Sequence, residues 1–217
     1  MSRLRVAVLI SGRGSNMTAL IDATKAASAP AEIAAVISNR PDAAGLVRAR
    51  NADIPTAIID HKPYGKDRAA FEEALTSELT ARGVEFICLA GFMRLFTPQF
   101  VTRWHGRMLN VHPSLLPLFK GLDPHGQALA AGVKLSGATV HFVTPETDAG
   151  PILVQGAVPV LAADTPESLA ARILTVEHRI YPLALRLVAE GRVRIVGDRC
   201  EIDDTRAGDG FLISPEA

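Results

Sequence analysis

The sequence predicts an α/β fold with a mostly parallel, twisted sheet, helices on both of its faces and antiparallel strands added near the C-terminus. Over the first 110 residues, short apolar runs that suit strands alternate with longer helical patterns. This alternation is typical of parallel strands joined by crossover helices, which cover both faces of the sheet. Beyond residue 117 the pattern changes to consecutive strands, which favours antiparallel pairing.

The first half of the chain repeats a unit of one strand and one helix. Residues 5–10 are mostly apolar, end at a glycine-rich turn and precede an alanine- and leucine-rich stretch, which predicts strand, loop and helix. The unit then recurs along the chain. The predicted elements are strand 5–10, helix 17–27, strand 31–38, helix 43–51, strand 56–59, helix 67–82, strand 86–90, a short helix from about residue 98, and strand 108–111.

The second half contains two pairs of consecutive strands and one long helix. Its predicted elements are helix 124–131, strands 136–143 and 152–160, helix 166–190, and strands 193–196 and 200–202. Each strand pair suits an antiparallel hairpin. Thr165 is expected to cap the long helix, with Pro166 at its first position. The tail from Thr205 carries Gly, Asp and Pro, and we expect it to be partly disordered.

Length and charge narrow the class of protein. The 217 residues can bury a substantial core, and we expect a single domain over residues 1–217. Lys and Arg total 23, as do Asp and Glu, so the formal charge is zero and a nucleic-acid partner is not expected. No apolar stretch of about 18 residues and no signal-peptide pattern occur, so we expect a cytoplasmic protein without a membrane partner. Cys88 and Cys200 lie far apart, which favours thiols in a reducing compartment.

Asn110 and His112 form the most informative pair in the sequence. They lie two residues apart at the end of a predicted strand, just before Pro113. Because side chains alternate along a strand, both point to the same face. Asn supplies an amide donor and His gives or accepts a proton near neutral pH, so the pair suits a carbonyl that becomes an oxyanion. The alternative is a polar strand end satisfied by its own backbone.

A glycine-rich loop lies between the first predicted strand and helix. Residues 11–16 read Ser-Gly-Arg-Gly-Ser-Asn, and the N–H groups and dipole of the following helix favour an anion there, with a monophosphate as the natural ligand. The loop is not a dinucleotide fingerprint, because Met17 stands where the third glycine would be. The alternative is a tight turn in which Ser15 or Asn16 caps the helix.

Three further stretches hold candidate residues. Asp148, in the loop between the later strands, is a candidate partner that holds His112 and relays protons, or else it forms an Asx turn. Residues 91–96 follow the fourth strand and either border a crevice for an aromatic cofactor or belong to the core. Glu177 lies on the long helix, where the alternative is a solvated charged face.

The other histidines of the sequence are possible metal ligands. His105, His125 and His141 could join His112 and Asp148 in a metal site, but no His-Glu-x-x-His or paired-cysteine spacing is present. No metal is therefore expected. His141 shares strand parity with Thr139, which predicts a place beside the crevice.

Four segments together resemble the phosphoribosylglycinamide formyltransferase family. They are Ile-Ser-Gly-x-Gly-Ser-Asn at 10–16, Leu-Ala-Gly-Phe-Met-Arg at 89–94, Leu-Asn-x-His-Pro-Ser-Leu-Leu-Pro at 109–117 and Asp-x-Gly-Pro at 148–151. The resemblance implies a Rossmann-like formyltransferase fold, with a phosphate-binding part at about 1–100 and a folate and catalytic part at about 101–200. It also implies formyl transfer from the co-substrate 10-formyltetrahydrofolate to the amine of glycinamide ribonucleotide, in purine biosynthesis and without a metal.

The resemblance also implies which residues form the site. Asn110, His112 and Asp148 match the family's catalytic trio, and Glu177 matches the residue that contacts the glycinamide end. The 5′-phosphate would be bound by Gly14, Ser15 and Asn16. The folate residues would be Arg68, Met93, Arg94, Leu95, Phe96, Asn110, Thr144, Pro145, Glu146, Thr147 and Asp148.

Two places depart from the family pattern. Residues 118–125 read Leu-Phe-Lys-Gly-Leu-Asp-Pro-His, where family members often carry a further basic residue and another His, so the substrate contacts of this loop stay open. Leu174, one turn before Glu177, is apolar where a polar contact is typical, and we expect it to contribute through its backbone.

Related enzymes with the same Asn-x-His pattern perform other reactions. Methionyl-tRNA formyltransferase normally adds a C-terminal nucleic-acid-binding domain and formyltetrahydrofolate deformylase an N-terminal regulatory domain, and we expect neither here. The phosphate loop favours a nucleotide substrate over hydrolysis by water, which leaves the deformylase as the alternative. A non-catalytic folate- or nucleotide-binding module would share the fold without the activity. For the oligomeric state, monomer and weak homodimer both stay open.

Overall fold

The computed structural model describes residues 2–203 and Ser214, and its elements follow the predicted order. The disorder expected from Thr205 onward falls on residues outside this described part. The strands are β1 (Leu4–Ile10), β2 (Ala31–Ser38), β3 (Thr56–Ile58), β4 (Phe86–Leu89), β5 (Met108–His112), β6 (Leu135–Phe142), β7 (Ile152–Pro159), β8 (Val193–Val196) and β9 (Arg199–Ile202). The helices are α1 (Ser15–Thr24), α2 (Ala44–Asn51), α3 (Arg68–Ala81), α4 (Pro98–Arg103), α5 (Pro124–Ala130) and α6 (Pro166–Ala189), and an unpredicted 3₁₀ turn spans Lys62–Tyr64.

The strands confirm the predicted fold class. Seven of them form a sheet in the order β3-β2-β1-β4-β5-β6-β7. Pairs from β3 to β5 are parallel, whereas β6 and β7 are antiparallel. Strands β8 and β9 form a second, two-stranded antiparallel sheet. The result is a mostly parallel α/β fold with antiparallel additions near the C-terminus.

Backbone contacts divide the chain into two compact units. The first unit comprises residues 1–110 and 142–145, and the second comprises residues 111–141 and 146–217. Strand β5 passes from the first unit to the second after Asn110. The expectation of one domain over residues 1–217 stays a prediction.

The core of the first unit is built on β1. Residues 6–10 are fully buried, as expected for a parallel strand covered on both faces. Val8 lies in register with Val36 of β2 on one side and with Cys88 of β4 on the other. The loop of residues 11–14 therefore leaves the sheet at the carboxyl ends of parallel strands, where α/β proteins bind ligands.

Helix α1 differs most from its predicted bounds, because it begins at Ser15 instead of residue 17 and ends at Thr24 instead of residue 27. Gly14 is its N-cap, with a left-handed φ of 72° that glycine adopts at little steric cost. At the other end, the guanidinium of Arg3 donates a 2.6 Å hydrogen bond to the Thr24 carbonyl and satisfies a helix-terminal acceptor. The alternative that Ser15 or Asn16 caps this helix is wrong, since both lie within its first turn.

The second unit contains the long helix α6. Its start is as predicted, with Pro166 in the first turn. The hydroxyl of Thr165 accepts from the N–H of Ser168, and the Ser168 hydroxyl accepts from the N–H of Thr165, which completes a capping box. Among the described residues, no helix combines the length and the apolar character needed to cross a membrane.

Candidate functional site

The loop after β1 packs so closely on α2 that two of its contacts require glycine. A Cβ atom added to Gly14 would lie 3.1 Å from the Cα of Gly45, and one added to Gly45 would lie 2.6 Å from the side chain of Ile10. The N–H of Gly45 also donates to the carbonyl of Gly12 at 3.0 Å. Because the N-cap Gly14 offers no side-chain acceptor, no side chain caps the first-turn amides of α1. The loop thus has the backbone geometry of an anion site.

A cavity of about 510 Å³ opens beside this loop in the first unit. Its chemistry is cationic, since three arginines and one histidine line it and no carboxylate does. Such a lining favours an anionic ligand. Besides residues 11–16, the lining residues are Asn39, Arg40, His61, Ala90, Gly91, Met93 and Arg94.

Three polar residues of this cavity, Asn39, Arg40 and His61, were not found from the sequence. Asn39 accepts a 2.5 Å hydrogen bond from the hydroxyl of Ser11, which in turn accepts the N–H of Met93 at 2.8 Å. The Nδ1 atom of His61 lies 2.8 Å from the carbonyl oxygen of Asn39. Asn39 follows β2 directly and His61 comes shortly after β3, so the rule that parallel strands end at one sheet edge could have indicated both.

His112 and Asp148 are brought together in the second unit. Nδ1 of His112 lies 3.4 Å from Oδ2 of Asp148, and Nε2 of His112 lies 2.9 Å from the carbonyl oxygen of Phe119. Both side chains are largely buried, with exposed fractions of 7% and 11%. The Asp148 carboxylate also accepts the N–H of Gly121 at 2.9 Å, so these partners lie far along the chain. Carbonyl and carboxylate oxygens thus face both ring nitrogens, which is the pattern that an imidazolium satisfies.

A network around Thr139 holds the segment that follows His112. The fully buried hydroxyl of Thr139 donates to the carbonyl of Ser114 at 2.7 Å and accepts the N–H of Leu116 at 3.0 Å. The side-chain amide of Gln155 donates to the same hydroxyl and to the carbonyl of Leu116, both at 2.9 Å. Strands β6 and β7 therefore fix the backbone that carries His112, and only the tertiary structure reveals this role.

Polar side chains within and beside residues 118–125 hold this loop, which departs from the family pattern. The carboxylate of Asp123 caps α5 by accepting the N–H of Gly126 at 3.2 Å. Gln127 donates to the carbonyl of Leu122 at 2.8 Å, and Nζ of Lys120 lies 3.6 Å from a carboxylate oxygen of Glu146. Burial lowers the pKa of His125, and the nearby Asp123 opposes this effect only in part.

The predicted folate residues at 93–96 alternate between outward and inward positions in the first unit. Met93 and Leu95 are 74% and 66% exposed, so two large apolar side chains on this segment face solvent. Phe92 and Phe96 instead pack against the core cluster, as does Val143. The aromatic side chains of this segment therefore belong to the core, whereas Met93 and Leu95 between them form an exposed apolar wall. The crevice for an aromatic cofactor stays a prediction.

The remaining predicted folate residues are divided between the two units. Arg68 is exposed at the start of α3 and Asn110 lies on β5, both in the first unit with Thr144 and Pro145. The second unit contains the exposed Glu146 and Thr147 together with Asp148.

Glu177 is buried, so the alternative of a solvated charged face on α6 is wrong at this position. Its exposed fraction is 7%, and Leu174, one turn earlier, is partly buried. The neighbouring His178 has a buried Nε2 atom that finds no hydrogen-bond partner within the described part of the chain. Burial lowers the pKa of this imidazole.

His141 lies beside Asp148, with Nε2 3.8 Å from Oδ1 of that carboxylate. Two imidazoles therefore flank one carboxylate in the second unit. The predicted place of His141 beside the crevice stays a prediction. Among the residues that the structure describes, no group of three His, Cys, Asp or Glu side chains is arranged to hold a metal ion.

A family model described as formyl transferase matches residues 4–185. The chain belongs to the formyl transferase family. The resemblance inferred from the four sequence segments is thereby confirmed, and the fold class agrees with that of solved family members.

Two relatives of matching length are similar to nearly all of this chain. The phosphoribosylglycinamide formyltransferase of Escherichia coli (strain K12) is 43% identical, over 94% of this chain and 95% of that protein. The crystal structure of glycinamide ribonucleotide transformylase 1 from Symbiobacterium toebii matches with a TM-score of 0.90 and 51% identity, over 93% of this chain and 95% of that one.

Other relatives are much longer than this chain. The trifunctional purine biosynthetic protein adenosine-3 of Bos taurus is 53% identical over 89% of this chain, yet the chain spans only 19% of that protein's length. A formyltetrahydrofolate deformylase from Burkholderia mallei matches with a TM-score of 0.83 but only 33% identity, over 93% of this chain and 70% of that one.

Proposed function

We propose that this protein transfers the formyl group of 10-formyltetrahydrofolate to the amine of glycinamide ribonucleotide, giving formylglycinamide ribonucleotide and tetrahydrofolate in de novo purine biosynthesis. The observation that carries the proposal is the buried pair of His112 and Asp148, at the end of the strand on which Asn110 lies. Membership of the formyl transferase family supports it. So do the names of the two relatives of matching length.

The nucleotide binds through its phosphate at the first turn of α1. The amides of Ser15 and Asn16 donate to the phosphate oxygens, and the arginines of the cavity complement its charge. Gly14 lets the backbone approach the ligand, because a side chain there would meet Gly45. Glu177 accepts hydrogen bonds from the glycinamide end, which leaves the neutral amine free to react.

The folate co-substrate binds along the exposed wall of Met93 and Leu95, with Arg94, Phe96, Asn110 and residues 144–148 completing its contacts. An aromatic pterin ring gains from burial against such apolar side chains. Arg68, exposed at the start of α3, pairs with the carboxylates of the folate's glutamate tail. No step of the proposed cycle calls for a metal.

The chemical step begins when the amine nitrogen attacks the formyl carbon. A bond forms between nitrogen and carbon, and the formyl oxygen gains negative charge in a tetrahedral intermediate. The amide of Asn110 and the imidazolium of His112 donate hydrogen bonds to this oxyanion, and loss of one such donor typically costs about 100- to 1,000-fold in rate. Because His112 now binds Phe119 through Nε2, it exchanges that carbonyl for the oxyanion when substrate is present.

Collapse of the intermediate breaks the bond between the formyl carbon and N10 of the folate. The attacking amine loses one proton and N10 gains one. The reaction therefore needs a group that carries a proton from one nitrogen to the other, and it consumes no proton overall. Asp148, whose carboxylate lies 3.4 Å from Nδ1 of His112, passes the proton by way of water.

The direct test follows the absorbance change as 10-formyltetrahydrofolate loses its formyl group, with and without glycinamide ribonucleotide. Turnover that depends strictly on the nucleotide is expected. Folate release without the nucleotide would instead indicate the deformylase, the alternative that the Burkholderia mallei neighbour favours. No turnover in either reaction, together with ligand binding, would indicate a non-catalytic module.

The biological setting stays a prediction from the sequence. We propose that the protein acts in the cytoplasm on these two small molecules, as a monomer or weak homodimer. Gel filtration coupled to light scattering across a range of protein concentrations would distinguish the two assembly states.

A further inference from the structure

We infer that Glu72 is a positioning residue for the exposed apolar side chains of Met93 and Leu95, which we call the folate wall. It acts through the hydrogen bonds between its buried side chain on α3 and Thr97, which we call the tie. The inference rests on the proposed function, because it assigns Glu72 a role in placing Met93 and Leu95 for the folate. Glu72 itself touches neither proposed substrate. Glu72 is 6% exposed, which is rare for a glutamate, and no ion pair to it occurs among the residues that the structure describes.

Both oxygens of the Glu72 carboxylate are used by a single residue. Oε1 accepts the N–H of Thr97 at 2.6 Å, and Oε2 accepts the Thr97 hydroxyl in a very short hydrogen bond. Hydrogen bonds to an ionised acceptor are stronger than neutral ones, which offsets the cost of burying the charge. The Thr97 hydroxyl also accepts the N–H of Phe100 at 3.3 Å and so caps α4. One carboxylate thus fixes the backbone at 97 and the start of α4.

Thr97 comes directly after the folate wall. The rings of Phe92 and Phe96 stack at 5.3 Å, and those of Phe96 and Phe100 stack at 4.4 Å. Trp104 extends this row, with its ring centroid 6.4 Å from that of Phe100. Since Phe100 lies on the helix that Thr97 caps, a displaced Thr97 would shift the row of rings that anchors the wall.

The exposed side chains of the wall depend on this anchor. Met93 and Leu95 are mostly exposed, so packing of their own side chains contributes little to their position. Their backbone is fixed at one end by the hydrogen bond from the N–H of Met93 to Ser11, and beyond the other end by the tie from Glu72 to Thr97.

Helix α3 adds a second reason for the assignment. Arg68 and Glu72 are four residues apart on it, which places them on the same helix face. The proposed contact of Arg68 with the folate's glutamate tail and the tie from Glu72 to Thr97 therefore both start from helix α3. Loss of the tie would change the spacing between the tail contact and the wall, which are the two ends of the folate site.

The decisive variant is Glu72→Gln, which keeps the side-chain volume but removes the negative charge and replaces one of the two oxygens that accept from Thr97 by an NH₂ group. We expect the KM for 10-formyltetrahydrofolate to rise about tenfold, with the KM for glycinamide ribonucleotide within about twofold of wild type. The matched control is Glu73→Gln, which changes the neighbouring, exposed carboxylate. It should leave both constants unchanged.

Threonine variants test the same tie from its other end. Thr97→Val removes the hydroxyl and should reproduce the selective rise in folate KM, whereas Thr97→Ser keeps the hydroxyl and should behave like wild type. If Glu72→Gln does not fold, Thr97→Val provides the same measurement. Trp104 is the chain's one tryptophan, so a change in its emission in either variant would show that the row of rings has shifted.

The outcomes separate this inference from the proposed function. A folded Glu72→Gln protein with a wild-type folate KM, or with equal rises in both KM values, would overturn the positioning role. If wild type shows no nucleotide-dependent transfer, the proposed function fails on its own. Calorimetric titration of both proteins with tetrahydrofolate would then decide whether Glu72 supports folate binding, and equal affinities would overturn the inference.

Discussion

Nδ1 of His112 lies 3.4 Å from Oδ2 of Asp148, and that same carboxylate oxygen accepts the N–H of Gly121. The other oxygen, Oδ1, faces His141 at 3.8 Å. Asp148 therefore faces two imidazoles, while a backbone amide holds Asp148 itself. A carboxylate held this firmly can keep His112 in one ring orientation throughout a reaction cycle, which is what a group that stabilises an oxyanion requires.

Replacing Asp148 by Asn should lower kcat by about 100-fold or more, because the side chain keeps its shape but loses the carboxylate that relays the proton. The measurement is steady-state formyl transfer at saturating concentrations of both substrates. Asp198→Asn is the matched control, since it removes a carboxylate at an exposed position near the β8–β9 turn. A kcat within about threefold of wild type in a folded Asp148→Asn protein would remove Asp148 from the proposed mechanism.

Gly14→Ala should weaken nucleotide binding more than folate binding. The new Cβ would meet the Cα of Gly45 at 3.1 Å, and the left-handed φ of 72° would strain an alanine by about 1 kcal/mol or more. We expect the KM for glycinamide ribonucleotide to rise about tenfold or more, since the phosphate-binding loop must shift. The readout is the pair of KM values from initial rates.

The control for backbone strain is Gly191→Ala, whose φ is 69° but whose surroundings within 4 Å are open. Gly191→Ala should lower the free energy of unfolding by about as much as Gly14→Ala does and leave both KM values unchanged. Equal effects of the two alanines on nucleotide KM would mean that strain, and not the loop's shape, explains the result.

Thr139→Val should destabilise the protein by about 1–3 kcal/mol, because removing the buried hydroxyl leaves the N–H of Leu116 without this acceptor. The free energy of unfolding from urea titration measures the loss. Thr175→Val, at an exposed position on α6, is the control and should change stability little. Formyl transfer should also slow, since the same hydroxyl holds the segment after His112. Unchanged stability would show that Gln155 compensates for the lost hydroxyl.

Replacing His178 by Gln should reduce the loss in the free energy of unfolding as the pH falls. Burial lowers the pKa of His178, so the unfolded chain binds a proton more readily than the folded one. The stability contributed by the neutral imidazole is complete above the unfolded pKa of about 6.5 and is lost as the pH falls through it toward the lower, folded value.

Urea unfolding of both proteins at about pH 7.5 and about pH 5.5 tests this expectation. The free energy of unfolding of the wild type should fall more between the two pH values than that of His178→Gln. His105→Gln, at an exposed position, should follow the wild type. Parallel pH dependence of the wild type and His178→Gln would mean that His178 does not contribute.

Local sequence patterns predicted the elements well, because strand and helix periodicity and capping are properties of neighbouring residues. The start of α6 at Pro166 behind Thr165 follows from capping chemistry alone. The end of α1 could not be found this way, since it depends on a guanidinium at Arg3, more than twenty residues away in sequence. Asn39 was missed although it directly follows a predicted strand, so there a signal existed and was not used.

By itself, the sequence determined the α/β class, the glycine-rich loop, the pairing of Asn110 with His112 on one strand, and the family resemblance that indicated Asp148. These depend on alternation, turn chemistry and spacing, which are local. Only the tertiary structure decided that Asp148 reaches His112, that Thr139 holds the segment after it, and that Glu72 is tied to Thr97. Each of these contacts joins residues more than twenty positions apart, and the packing of the whole chain, not any local pattern, brings such residues within hydrogen-bond distance.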